Sequence, residues 1–301
     1  MGLYYCISLA EKLGINSKLD PVLSFTLGSN VVTLLETTRM YEALVTGKMT
    51  TIGMSTEEES TDALAIIDRI ESAEGEILYE PIVTQEVVIG SKANLAIGHV
   101  LENIVKFGTG RLATTRVKLE GAVEDEESRF SDLNLSVPLL GKTGTANRYT
   151  NASFFGYLPG IADENDAMQI GDGYAVGVYV GFDDNTSMRK KSSRITGSSG
   201  ALPAWCDIVN VLLEEKGLAD RLDPVDLSFY GLMLKRENLG QLNLRVDAEL
   251  GGKITEPVSA VSELDRQTPS ILTFGSKTDT GTFRPDRTFH PFWYGAGGRI
   301  N

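Results

Sequence analysis

Histidine, cysteine and basic charge are what this chain of 301 residues has least of, and each shortage excludes something. The two histidines, His99 and His290, are isolated from one another, which removes the usual ligands of zinc and weakens any Ser-His-Asp arrangement. Asp163, Asn165, Asp166 and Asp172 are oxygen donors, but their spacing misses the calcium-loop pattern and reads as a solvated hairpin loop. Neither a metal nor a cofactor is expected. Two cysteines, Cys6 and Cys206, sit 200 positions apart in apolar contexts and read as buried free thiols, with a single disulfide as the alternative. Lys and Arg total 28 against 41 Asp and Glu, so the formal charge is −13. Nucleic acid is therefore not an expected partner, because phosphate binding needs clustered cations. The one dense cationic run, Arg189-Lys190-Lys191, reads as a solvated loop. No apolar run reaches the length of a membrane span. The first residues, Met1 to Tyr5, lack a basic leader, and the following apolar stretch is interrupted by Glu11 and Lys12, so no export signal is expected in this chain.

What is present is an ordinary globular composition, 42% hydrophobic and 23% charged, able to bury a sizeable core. Residues 4–13 read as the end of a helix, with Tyr5, Leu9 and Leu13 at helical spacing and Gly14 as the stop. Its abrupt, buried-looking start suggests that something N-terminal is missing. A second helix is expected over 31–47, with Leu34, Leu35, Thr38, Tyr41, Leu44 and Val45 on one face. Ser55 to Asp62 reads as an acidic loop, and Ile77 to Val88 as a strand pair or extended segment broken at Pro81. A third helix covers about 92–107, with Leu95, Val100, Ile104 and Phe107 inward. An acidic turn at 124–127 precedes three strand segments, Pro138 to Thr145, Ser153 to Leu158 and Tyr174 to Phe182. Short loops between them imply antiparallel neighbours. A helix over 201–216 carries Trp205, Ile208, Val209, Leu212 and Leu213 and ends at Gly217. From 217 to 301 short alternating runs, such as Leu242 to Val246 and Ile271 to Phe274, predict a β-rich extension. Its aromatic end, Phe289 to Tyr294, is expected to pack back on the main domain.

Gly141-Lys142-Thr143 is not the end of a phosphate-binding loop: the required glycine five residues earlier is Ser136, and Pro138 interrupts the loop. Lys142-Thr143-Gly144-Thr145 on a strand suits a different chemistry. A lysine supplies positive potential, and a threonine hydroxyl can hold a carboxylate. The glycine admits substrate close to the backbone, and the next N–H, that of Thr145, is placed for a developing oxyanion. Lys-Thr-Gly is one signature of penicillin-binding proteins and serine β-lactamases.

The surroundings agree. Gly108-Thr109-Gly110-Arg111-Leu112-Ala113, Asn151 to Tyr157, Val178 to Asn185, and Gly197-Ser198-Ser199-Gly200-Ala201 with Pro203 resemble, in order, segments of the transpeptidase domain of class A penicillin-binding proteins. Leu27 to Glu36 is similar to the family's Leu-Gly…Val-Thr-Pro-Leu-Glu segment, with Leu34 where the proline would be. The resemblance spans residues 1–216. It implies an α+β fold, a partial β-lactamase/transpeptidase-like domain with an antiparallel sheet flanked by helices, followed by the β-rich extension at 217–301. The Lys-Thr-Gly strand would lie at an exposed sheet edge, and the sheet would lack a complete helical partner on the nucleophile side, leaving apolar surface bare. The resemblance also implies Lys142, Thr143, Gly144 and Thr145 as the substrate-binding residues, and a peptidoglycan stem peptide or a β-lactam as ligand. Full-length relatives would be exported and membrane-anchored.

The family's nucleophile is a serine in Ser-x-x-Lys, helped by a Ser-x-Asn motif, both ahead of the Lys-Thr-Gly strand. The one Ser-x-x-Lys here, Ser187 to Lys190, follows that strand and is read as a decoy, and no Ser-x-Asn occurs. The expectation is the C-terminal part of a peptidoglycan D,D-transpeptidase, without catalytic residues of its own and inactive without the missing N-terminal half of the domain. The alternatives are a non-catalytic stem-peptide-binding or scaffold module, and a serine β-lactamase-like hydrolase.

Overall fold

A computed structural model describes residues 2–53, 60–61, 67–119, 135–161, 168–218, 232, 234–235, 244–247, 272–279 and 283–285. Its centre is a four-stranded sheet. Strands β3 (Leu140–Thr145), β4 (Asn151–Ile161) and β5 (Met168–Gly181) run antiparallel, in register from Leu140 opposite Tyr157 to Thr145 opposite Ala152, and from Asn151 opposite Gly181. The pairing of β4 with β5 shifts between Gln169 and Tyr174. A two-residue strand beyond residue 216, Leu234–Lys235, adds in parallel to β5, so the spatial order ends with β3 at the opposite edge.

Because side chains alternate along a strand, the sheet has two apolar faces. On one, Phe154, Leu158 and Val178 pack against helix α5 (Leu202–Glu215) through Trp205, Val209 and Leu213. Trp205 is fully buried. It meets Phe154 edge-on with ring centroids 4.9 Å apart and donates its indole N–H to the Val176 carbonyl at 3.0 Å. Gly156 makes room for it, since a Cβ there would lie 2.6 Å from the indole. On the other face, Leu140 and Tyr157 meet Val45 of α2 (Leu34–Thr46) and Leu101 of α3 (Ser91–Phe107), and Tyr41 stacks on Phe155 at 5.3 Å. Among the described residues helices therefore lie on both faces, α5 on one and α2 and α3 on the other. Exposed apolar side chains are spread along the described residues, from Tyr4, Tyr5, Leu23, Leu27 and Val31 to Tyr179, Phe182 and Val211.

Helix α2 begins with a capping box. The Thr33 hydroxyl accepts from the Glu36 N–H while Glu36 accepts from the Thr33 N–H, and Gly47 ends the helix at φ 77°. The helix thus starts three residues later than expected, and Leu34 and Leu35, expected inward, are exposed, while Ala43 and Val45 are buried. In α3 the buried apolar side chains are Leu101 and Val105, whereas Val100 and Phe107 turn outward. In α5 Ile208 is exposed and Cys206 takes an inward place. The cause is common to all three. Their apolar residues form a stripe wider than one contact face, and the sheet selects which edge of the stripe is buried. Helix α1 (Gly2–Lys12) buries Ile7 and leaves Tyr5 exposed, so it is not the buried helix its sequence suggests.

Strands β1 (Lys48–Gly53) and β2 (Ile82–Val87) pair antiparallel in a second sheet, while Ile77–Tyr79 pairs with Ile70–Glu71. The stretch 77–88 is thus two strands that pair elsewhere, not with each other. Three further strands, Leu244–Asp247, Leu272–Lys277 and Phe283–Pro285, form their own sheet; the first two fall on the predicted runs, and the third on neither. The acidic turn at 124–127, most of the acidic loop at 55–62, Asp163, Asn165, Asp166, His290 and the aromatic end at 289–294 lie outside the described residues. Both described cysteines are free, Cys206 buried and Cys6 partly so. Among the described residues no helix is long and apolar enough to cross a membrane.

Candidate functional site at an open sheet edge

Strand β3 carries Lys142-Thr143-Gly144-Thr145 and, among the described residues, has a strand partner on one side only, β4. In an antiparallel pair successive residues point their backbone groups alternately toward and away from the partner. The Ala146 N–H donates to the Asn151 carbonyl at 3.0 Å, which fixes the phase: even-numbered residues bond to β4, and Thr143 and Thr145 turn their N–H and C=O groups to the open edge. Lys142 Nζ reaches back along this edge and donates to the Thr143 carbonyl at 2.7 Å. Burial of part of its side chain lowers the Lys142 pKa, and the described residues place no carboxylate at ion-pair distance from it. The edge therefore combines an uncompensated ammonium, the Thr143 hydroxyl and the outward Thr145 N–H.

The strand is locked from two sides. A tight turn of π type at Gly197–Ala201 leads into α5, and its Gly197 N–H donates to the Thr145 hydroxyl at 2.9 Å. Gly197 lies so close to β3 that a Cβ would stand 2.5 Å from the Gly144 carbonyl oxygen and 2.7 Å from that of Ser153. Gly144 in turn is opposite Ser153, whose hydroxyl occupies the space a Cβ would need. The second lock comes from the Gly108–Gly110 loop between α3 and α4 (Leu112–Arg116), where the hydroxyls of Thr109 and Thr143 lie 2.6 Å apart. The sequence places this loop within the resemblance but gives Thr109 no role. The only signal was its position in the resemblance, since nothing local says which strand a loop 34 residues away will touch.

The Ser187 hydroxyl is exposed and donates to the Arg148 carbonyl at 2.6 Å, tying two loops together, with no part in the edge. His99 lies on α3 with Nδ1 3.8 Å from Glu102, and Glu102 also pairs with Lys106 at 2.7 Å. Among the described residues no group of three His, Cys, Asp or Glu side chains could hold a metal.

Over 215 residues, 70% of this chain, it is 26% identical to penicillin-binding protein 1A of Rickettsia typhi, and over 212 residues it is 26% identical to the Aquifex aeolicus protein of that name. The chain is related to penicillin-binding protein 1A. It spans about a quarter of the length of these curated relatives, 24% and 23%. No family model matches the chain. The crystal structure of Haemophilus influenzae penicillin-binding protein 1A superposes on 71% of this chain and 31% of its own with a TM-score of 0.50, at 19% identity. The shared feature is the fold, a partial transpeptidase-like α+β arrangement.

Proposed function

We propose that this chain supplies the Lys-Thr-Gly wall of a peptidoglycan D,D-transpeptidase cleft, and that its ligand is the D-Ala-D-Ala end of a stem peptide or a β-lactam that mimics it. The observation that carries the reading is the edge of β3, open among the described residues, with a cation that no described carboxylate pairs and outward backbone groups on alternate residues. An extended peptide can add to such an edge by main-chain hydrogen bonds. Lys142 would draw the ligand's carboxylate, the Thr143 hydroxyl would bind it, Gly144 would permit close approach, and the Thr145 N–H would face an acyl oxyanion. Residues 1–216 would form the domain part and 217–301 an extension, although Leu234–Lys235 of the latter joins the main sheet. The site would work outside the cytoplasm, where peptidoglycan is cross-linked.

Turnover needs an acylating serine, and no Ser-x-x-Lys precedes β3 in this sequence. The chain by itself is therefore expected to bind without reacting, and a partner segment would bring the nucleophile. The alternative reading is a stem-peptide-binding module with no catalytic duty. Titrating the full chain with an acyl-D-Ala-D-Ala peptide should show weak, non-covalent binding that K142A reduces about tenfold, the worth of one charge-assisted hydrogen bond. Binding should also fade as pH rises through the lowered Lys142 pKa, because the ammonium is then neutral. Labelled penicillin should leave no covalent adduct. Binding indifferent to K142A would refute the edge as the site, and an adduct that persists in S187A would refute the absence of a nucleophile. Supplying the partner segment separates the two readings: restored acylation marks a transpeptidase, and unchanged binding marks a module.

A further inference from the structure

We infer that Thr109 is a positioning residue for the Thr143 hydroxyl, and that the two threonines act as one unit in holding a ligand carboxylate. The inference rests on the reading of β3 as a carboxylate-binding edge. Thr109 is exposed and Thr143 half-buried, so a ligand can reach the pair, and their Oγ1 atoms lie 2.6 Å apart. Two hydroxyls at that distance share a single hydrogen bond, which uses one of their two protons. A carboxylate only accepts, so it must take the other proton. The arrangement that satisfies all three groups has Thr109 donating to Thr143 and Thr143 donating outward. Donation into an oxygen strengthens that group's own donation, so Thr109 makes Thr143 a better and better-aimed donor.

The loop that presents Thr109 is held stiffly. The Gly108 and Gly110 N–H groups both donate to the Ile104 carbonyl at the end of α3, at 3.0 Å and 3.1 Å. A Cβ at Gly108 would stand 2.9 Å from that carbonyl oxygen, and one at Gly110 would stand 3.2 Å from it. Glycine on either side of Thr109 is thus what lets the loop fold tightly onto the helix end and aim one hydroxyl at β3. Lys142, capping the Thr143 carbonyl, places a cation beside the pair. That combination selects an anionic, planar acceptor over a neutral one.

The test compares binding of an acyl-D-Ala-D-Ala peptide and its C-terminal amide to the full chain, by NMR titration, with melting temperatures recorded for each variant. The wild-type chain should prefer the free carboxylate. T109V should cut that preference about five-fold, the worth of one ordinary hydrogen bond. T109S should keep it, and T109V/T143V should be no worse than T143V alone. Penicillin and its methyl ester, run in parallel, show whether the other source of the same carboxylate is read in the same way. A T109V chain with full preference overturns the inference, as does one that loses acid and amide equally, since the bond would then only fasten a loop. A wild-type chain without preference overturns the edge reading as well.

Discussion

Replacing Glu36 by glutamine tests how the segment before α2 is fastened. One carboxylate oxygen accepts from the N–H groups of Asn16 and Ser17, at 2.8 Å and 2.6 Å. The other accepts from the Ser17 hydroxyl at 2.7 Å, the Thr33 N–H at 2.8 Å and the Thr33 hydroxyl at 2.9 Å. Partial burial pushes the Glu36 pKa up, but the donors from Thr33 and Ser17 outweigh it and bring the value from 4.5 to about 2. At about 1.4 kcal/mol per pH unit the shift sets a ceiling of about 3 kcal/mol, and with water reaching part of the carboxylate about 1–2 kcal/mol is expected. The amide of glutamine keeps one acceptor. Hydroxyls can turn to meet its NH2, but a backbone N–H cannot, so at least one loses its partner. The folded pKa lies below the unfolded one, so this stability is complete above pH 4.5 and disappears as pH falls through about 2. In urea titrations at pH 7, E36Q should unfold about 0.5–1 M earlier than wild type. At pH 2.5 most of that gap should have closed. Equal midpoints at pH 7, or a gap that survives at pH 2.5, would refute the account.

Two other outcomes follow from packing. G197A forces a Cβ against two carbonyl oxygens of β3 and β4, so it should cost about 2–3 kcal/mol and lower the affinity for stem peptide. G28A, at φ 79° in open space, should cost only about 1 kcal/mol from backbone strain; equal falls in melting temperature would contradict the close contact. Burial pushes the Cys206 thiol up to about 11 despite the nearby Arg116, whereas Cys6 is only partly covered. Under native conditions iodoacetamide should modify Cys6 and spare Cys206 until the chain unfolds, as peptide mass spectrometry would show; early loss of Cys206 would count against a closed α5 core.

The strand order was open to reading because its cues are local. Pro138 to Thr145, Ser153 to Leu158 and Tyr174 to Phe182 are joined by short loops, and only antiparallel neighbours connect that way. Gly47 and Gly217 marked helix ends for an equally local reason, since both adopt positive φ. The inward faces were harder. Val100, Phe107, Leu34, Leu35 and Ile208 fit an apolar stripe as well as their buried neighbours do, yet the structure leaves them exposed. Periodicity gives the stripe, and only the surface of the sheet decides which of its edges is covered.

Residue types along the chain were enough to establish the scarcity of histidine and cysteine, the acidic balance, the three antiparallel strands and the resemblance to penicillin-binding proteins. The tertiary structure decided the rest of the site. It put β3 at an open edge, turned the backbone groups of Thr143 and Thr145 outward, seated Gly197 on Gly144, and brought Thr109 within hydrogen-bonding distance of Thr143. These are contacts between segments tens of residues apart. They depend on how two faces of one sheet fill with helices, and packing of that kind leaves no periodic mark in the sequence.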